Sequence, residues 1–186
     1  MIKAVETETL EQKKKRAQRI IRFLKREFPQ AKIALRYGNS IQLLAAVILS
    51  AQCTDKKVNE VTAVLFKKYK TAADFAKANL KKFELEIKPC GFYRNKAKNI
   101  IAAAKIIRDK FKGRLPRTMA EMLILPGVAR KTANVVLGNA YGVVEGIAVD
   151  THMIRLNRRL GFTNQSDPNK IEKDLMQIIP QKDWFG

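Results

Sequence analysis

The feature that most constrains the fold is a tight turn that leads directly into a helix, at residues 125–133. Pro126 and Gly127 favour a sharp chain reversal, because proline fixes φ and glycine accepts backbone conformations that other residues avoid. A helical pattern starts at about Arg130, and Lys131 lies in its first turn. Such a turn and helix N-terminus can offer backbone N–H groups to a phosphate. The alternative is an ordinary corner between two helices.

The remainder of the chain has the apolar spacing of helices. Residues 10–28 place apolar side chains three to four positions apart, and residues 41–50 are apolar on every side, as in a buried central helix. A third helix is predicted at 54–69, starting from a Thr54 cap. Its predicted inward side chains are Val58, Val61, Val64 and Leu65. Residues 143–149 could form a strand or a short extended connection. The pattern predicts an all-α protein.

The chain is strongly basic. Its 186 residues include 37 Lys and Arg against 17 Asp and Glu, which gives a formal net charge of +20. This excess favours a polyanionic partner, and nucleic acid is the commonest one. A ribosomal-type protein or a merely solvated basic surface are the alternatives. Because 46% of the residues are hydrophobic, the chain can bury a core of its own.

The cysteines and the N-terminal residues bear on the cellular compartment. Cys53 and Cys90 are too few for a disulfide framework and, with one histidine, do not suit a zinc site. The N-terminal residues alternate in charge without the apolar core of a signal peptide, and no apolar run reaches transmembrane length. We therefore expect reduced thiols in a monomeric cytoplasmic protein, associated with the nucleoid in a prokaryote.

A carboxylate and the only histidine follow the turn in sequence. Asp150 could stabilise positive charge on a sugar, and the amine of Lys131 could attack an electrophilic carbon. For Lys131, the alternative is one more cation in contact with phosphate. For Asp150, it is the N-cap of a helix that begins near Thr151, a role that is compatible with catalysis. A lone histidine is more often structural than catalytic, so we expect His152 in a pocket wall or beside a buried carboxylate and not as a direct acid–base catalyst.

Four sequence blocks carry a resemblance to a known family. Residues 125–137 resemble the helix-hairpin-helix of the DNA base-excision glycosylases, in the form found in the endonuclease III family. Residues 148–152 are similar to the family's segment with the essential aspartate. Residues 49–55 and 91–97 are similar to two further signatures. The blocks occur in family order across about residues 40–160.

The resemblance implies an all-α, two-lobed helix-hairpin-helix DNA glycosylase fold with a DNA-binding cleft between the lobes. One lobe would contain six helices at 33–144, and the second would combine 1–32 with 145–186. The implied function is a bifunctional DNA glycosylase and abasic-site (AP) lyase that removes oxidised pyrimidines from double-stranded DNA. The alternatives are a non-catalytic or impaired DNA-binding protein, and a monofunctional mismatch or uracil glycosylase, against which Lys131 argues.

The resemblance also implies site residues. Lys131 is the nucleophile that forms a Schiff base, and Asp150 is the catalytic carboxylate. Gln52 enters the space left by an extruded nucleotide, and Phe92 presses into the opposite strand. The alternatives are an ordinary polar loop residue for Gln52 and a buried core aromatic for Phe92. Further DNA contacts are expected at Arg94, Lys96, Gly127, Ala129, Arg130 and Thr132. The pocket residues would be Ser50, Thr151 and His152. Main-chain carbonyls near Leu123, Leu125 and Val128 could hold a cation.

Two features depart from the family pattern. Ala129 stands where the hairpin usually has a second glycine, and alanine tolerates positive φ poorly, which weakens the case for a close phosphate approach. The family's four cysteines for a 4Fe–4S cluster follow the position of Phe185, and neither cysteine of this chain lies there. We therefore expect no cluster and no other cofactor, and exposed apolar surface near residues 10–28.

Overall fold

The computed structural model describes residues 8–185, and every regular element in that range is helical, which confirms the all-α prediction. Residues 143–149 form an extended connection without strand pairing. The α-helices are α1 (Leu10–Glu27), α2 (Ser40–Ser50), α3 (Asp55–Lys68), α4 (Ala72–Ala76), α5 (Leu80–Glu86), α6 (Tyr93–Lys110), α7 (Met119–Leu123), α8 (Arg130–Tyr141), α9 (Thr151–Arg159) and α10 (Pro168–Ile178). Two 3-10 helices lie at Lys88–Cys90 and Gln181–Asp183. None of the helices described is long and apolar enough to cross a membrane.

Most α-helices begin at a side chain that accepts a backbone N–H of the first turn. These N-caps are Thr9, Asn39, Thr54, Thr71, Asn79, Thr118, Asp150 and Asp167. A cap of this kind contributes about 1 kcal/mol, which explains why these helices start where they do. Within residues 8–185, only α6 and α8 begin without one, at Phe92 and Ala129.

The chain divides into two compact units. The central unit is Ile33–Glu145 and contains α2 to α8. The terminal unit combines Met1–Lys32 with Gly146–Gly186, and its described part contains α1, α9 and α10.

The core of the central unit is built around α2. Every residue from Ile41 to Leu49 is buried, as the apolar run predicts, and α3, α6 and α8 pack around this helix. On α3, Val58, Thr62 and Leu65 are buried, but Val64 is 59% exposed. The predicted inward position of Val64 is wrong because the buried stripe follows the i, i+4, i+7 spacing of a helix, which takes in Thr62 instead.

The terminal unit has a much smaller core. Its buried apolar residues are Ala17, Ile147, Val149, Phe162, Ile171, Leu175 and Ile178. Helix α1 packs against α10 and buries Ala17, but Leu10, Phe23 and Leu24 of α1 are exposed, as is Phe28 directly after it. Apolar surface is therefore exposed on this helix, as expected from the sequence.

Candidate functional site

The predicted hairpin turn lies between α7 and α8. The N–H of Val128 donates to the carbonyl of Leu125 at 3.1 Å and closes the turn, and Gly127 has φ +79°. A Cβ on Gly127 would lie 2.9 Å from Cβ of Asn99 on α6. Glycine is therefore required at position 127 for two reasons: an L side chain is strained at this φ, and it has no space here.

Helix α8 starts directly after this turn. Ala129 has φ −93° and ψ 171°, which is ordinary extended backbone, so alanine is not strained here. The expectation that alanine at this position weakens a close phosphate approach is therefore wrong, because it assumed a positive φ. Its methyl group cannot cap the helix, so no N-cap side chain competes for the first N–H groups of α8. Lys131 is exposed in the first turn, while Arg130 and Thr132 are half-buried beside it. An anion is stabilised at such a position.

Gln52 lies in a second turn, immediately after α2. The N–H of Cys53 donates to the carbonyl of Ser50 at 3.0 Å, and Gln52 is exposed with φ +52°. The hydroxyl of Ser50, a predicted pocket residue, donates to the carbonyl of Val47 at 3.0 Å. This turn therefore holds Gln52 in a left-handed conformation that glycine would adopt more easily.

Phe92 lies in a third turn, at the start of α6. It has φ 47° and ψ 26°, follows Gly91, and is 67% exposed. A core position for this aromatic ring is therefore wrong. In the described part of the chain, the residues other than glycine with positive φ are Gln52, Phe92 and Lys112. Such strain costs on the order of 1–3 kcal/mol per residue and is concentrated at functional sites.

Two predicted DNA contacts on α6 differ in position. Arg94 is exposed, with its guanidinium carbon 5.8 Å from the centre of the Tyr93 ring. Lys96 is only 5% exposed, and its Nζ donates to the carbonyls of Leu49 and Cys90 at 2.8 Å each. The predicted DNA contact by the Lys96 side chain is thus replaced by hydrogen bonds inside the protein. Burial lowers the pKa of Lys96, and the thiols of Cys53 and Cys90 oppose this shift.

The two cysteines are free and belong to the turns that hold Gln52 and Phe92. Burial, with the neighbouring Cys53 thiol, raises the pKa of Cys90 to about 11. Two thiols cannot supply the four ligands of a 4Fe–4S cluster, and residues 8–185 contain no group of three or more His, Cys, Asp or Glu that could hold a metal. The residues present thus do not fit a cluster of the family type.

The predicted hairpin cation site depends on main-chain carbonyls. Leu123 is exposed, whereas Leu125 and Val128 are buried. The carbonyl of Leu125 already accepts the N–H of Val128 at 3.1 Å. A carbonyl has two lone pairs, so this hydrogen bond is compatible with a cation there. The cation site stays a prediction.

Asp150 lies at the start of α9 in the terminal unit. Its carboxylate accepts the N–H of Met153 at 2.8 Å, which confirms the predicted N-cap. The carboxylate therefore lies at the positive end of the α9 dipole, which stabilises its charge. Thr151 and His152 follow it and are both exposed. For His152, exposure is inconsistent with a place beside a buried carboxylate.

The terminal unit also contains a basic groove that sequence reasoning missed. Its volume is about 640 Å³, and its lining residues are Thr151, Ile154, Arg155, Arg158, Arg159, Thr163 and Asn164. The three arginines are spaced i, i+3 and i+4, which places them on one face of α9. That spacing was readable in the sequence and could have indicated a second anionic contact.

Comparison with known proteins places the chain in a family. A model for HhH-GPD superfamily base excision DNA repair proteins matches residues 45–181. Endonuclease III of Synechocystis sp. is 52% identical over 172 residues, which cover 92% of this chain and 78% of that relative. This chain belongs to the endonuclease III family. Another member, endonuclease III of Bacillus subtilis, is 48% identical over 84% of this chain and 72% of its own length.

Solved structures agree with this membership. A trapped covalent intermediate of endonuclease III with DNA superposes with a TM-score of 0.87 at 45% identity, over 92% of this chain and 80% of that chain. A non-covalent endonuclease III–DNA complex gives the same values. A thermostable thymine-DNA glycosylase, at 24% identity and a TM-score of 0.70, shows the fold alone. The predicted helix-hairpin-helix glycosylase fold is confirmed.

Proposed function

We propose that this member of the endonuclease III family is a bifunctional DNA glycosylase and AP lyase of base excision repair, acting on oxidised pyrimidines in double-stranded DNA. The observation that carries the proposal is the position of Lys131. It is an exposed amine in the first turn of α8, directly after the Gly127 turn, where no N-cap side chain competes for the N–H groups. An amine beside an anion-binding helix start is suited to attack on a sugar whose phosphate is held there.

The proposed reaction has two stages. The amine nitrogen of Lys131 bonds to C1′ of the damaged nucleotide as the C1′–N bond to the base breaks, and the base leaves with that electron pair and a proton. Opening of the sugar ring yields a Schiff base between Lys131 and C1′. Loss of a proton from C2′ then expels the 3′ phosphate by β-elimination, and water hydrolyses the remaining Schiff base to regenerate the Lys131 amine. To Asp150 we assign stabilisation of the positive charge that develops on the sugar.

Base removal also requires that the nucleotide leave the helical stack. We assign this task to Gln52 and Phe92, because both are exposed and both have a strained left-handed backbone. The amide of Gln52 can hydrogen-bond an orphaned base, and the ring of Phe92 can stack in the opposite strand. Phosphates are held without reading of sequence at the α8 start, by Gly127, Ala129, Arg130 and Thr132, with Arg94 as a further contact.

Borohydride trapping tests the assignment of Lys131. With a duplex that carries an abasic site, the unaltered protein gives a covalent protein–DNA adduct, because borohydride reduces the Schiff base. Lys131→Ala abolishes the adduct. Lys105→Ala, which removes an exposed lysine of α6, retains it. An undiminished adduct from Lys131→Ala would reject the assignment.

The same assay on a thymine-glycol duplex separates the alternatives. Base release without an adduct would indicate a monofunctional glycosylase. Salt-dependent binding with neither base release nor nicking would indicate a non-catalytic DNA-binding protein.

A further inference from the structure

We propose that Lys96 is a positioning residue that ties the Gln52 turn to the Phe92 turn, so that both side chains enter DNA with a set separation. The inference rests on the proposed function and deepens it. Lys96 does not contact DNA in this role; it acts through the two turns. In sequence this lysine is one of several basic residues of α6, but its ammonium group forms hydrogen bonds inside the central unit.

The tie is a pair of hydrogen bonds from one ammonium group. Nζ of Lys96 donates to the carbonyl of Leu49 at 2.8 Å and to the carbonyl of Cys90 at 2.8 Å. Leu49 lies in the last turn of α2, three positions before Gln52, and Cys90 ends the 3-10 helix, two positions before Phe92. The main-chain N–H of Lys96 also donates to the carbonyl of Phe92 at 3.1 Å. One residue is thus bonded to both turns.

A lysine is well suited to this position. The last carbonyls of a helix have no partner within it, and a cation at that end is favoured by the helix dipole. The long side chain brings three N–H donors to acceptors that are far apart in sequence. Burial of an ammonium group costs free energy, as the lowered pKa of Lys96 reflects. An apolar residue of similar length would avoid that cost, but it would leave both carbonyls without this partner.

The two turns have a physical reason to need a tie. Gln52 and Phe92 each have a positive φ that costs free energy and persists only where the surroundings impose it. Without the Lys96 bonds, each turn could relax independently toward a less strained conformation. A displacement of about 1 Å of a positioning group can cost on the order of 100-fold in rate. Loss of Lys96 should therefore reduce base extrusion while leaving the Lys131 amine in place.

The variant Lys96→Met tests this role, because it retains the length of the side chain and removes the donors. We expect its single-turnover rate of base removal from a thymine-glycol duplex to fall on the order of 10- to 100-fold. Trapping at a duplex abasic site should fall much less, since no base has to be extruded there. Lys98→Met, at an exposed position of the same helix, should leave both rates unchanged. Equal losses on both substrates would overturn the inference.

A double-mutant cycle separates positioning from general stability. In a background of Gln52→Ala with Phe92→Ala, Lys96→Met should add little further loss of base removal, because Lys96 acts through those two side chains. The same fold-loss in both backgrounds would overturn the inference. All rates are measured well below the melting midpoint of each variant. If Lys96→Met does not fold, Lys96→Gln, which retains a shorter donor, takes its place in the cycle.

A fluorescence measurement distinguishes failure of this inference from failure of the proposed function. If the unaltered protein gives no trapped adduct, the proposed function fails. In that case, the opening of the DNA stack is measured by itself. 2-Aminopurine is placed next to thymine glycol, and the fluorescence of 2-aminopurine increases when the stack opens. Lys96→Met should lose most of the increase that the unaltered protein produces. An increase that is unchanged in Lys96→Met, or absent with the unaltered protein, would overturn the role of Lys96.

Discussion

The turn at Gly127 and the two turns at Gln52 and Phe92 share a positive φ, but the first lacks a side chain and the other two expose one. All three residues have positive φ. At Gly127 the absence of a side chain relieves strain and leaves room for Asn99, whose Cβ would lie only 2.9 Å from a Cβ added to the glycine. At Gln52 and Phe92 the side chain itself is exposed, and the strain is accepted. The comparison teaches that the turn to which we assign phosphate binding has bare backbone, whereas the two turns to which we assign gap filling in DNA present a side chain.

The largest effect should come from closing the space at Gly127. Gly127→Ala combines a positive φ with a Cβ that meets Asn99, so we expect a loss of about 1–3 kcal/mol in the free energy of unfolding, measured in urea. Affinity for an abasic duplex should fall in parallel. Gly142→Ala is the matched control, since φ is +65° there and nothing lies within 4 Å of the added Cβ. Equal losses in the two variants would show that close packing is unimportant at Gly127.

A smaller effect is expected from relief of strain at Gln52. Gln52→Gly and Gln52→Ala both remove the amide, but only glycine relaxes at φ +52°. The glycine variant should therefore be more stable than the alanine variant by about 1 kcal/mol, although both lose base-removal activity. Thermal and urea unfolding of the pair measures this difference. If alanine proves as stable as glycine, Gln52 is not strained and the contrast with Gly127 disappears.

The smallest effect concerns the helix start that follows the Gly127 turn. Ala129 has the extended backbone of an N-cap but no side-chain acceptor. Ala129→Ser should add a cap to α8 and stabilise the protein by about 0.5–1 kcal/mol. The new hydroxyl would occupy N–H groups that the proposed function assigns to phosphate, so affinity for an abasic duplex should decrease severalfold. A rise in both stability and affinity would argue against phosphate binding at this helix start.

Local features of the fold could be predicted from the sequence because their causes are local. The caps at Thr54, Asp150 and Asp167 depend on a side chain and an N–H within three residues, and the apolar run of α2 signals burial on every side. Val64 shows where this reasoning ends. It is apolar, but it lies six positions after Val58 and so is about 120° around the helix from that buried residue; residue type alone did not reveal its exposure.

The sequence by itself determined the helical class, the glycine turn before α8, and the family resemblance that points to Lys131 and Asp150. Only the tertiary structure decided the burial and the hydrogen-bond partners of Lys96. Its ammonium bonds a carbonyl 47 residues away in sequence and another six residues away, and a main-chain carbonyl has no residue type by which a sequence could mark it. The strain at Gln52 and Phe92 was likewise hidden, because φ is imposed by packing around the turn and not by the residue that adopts it.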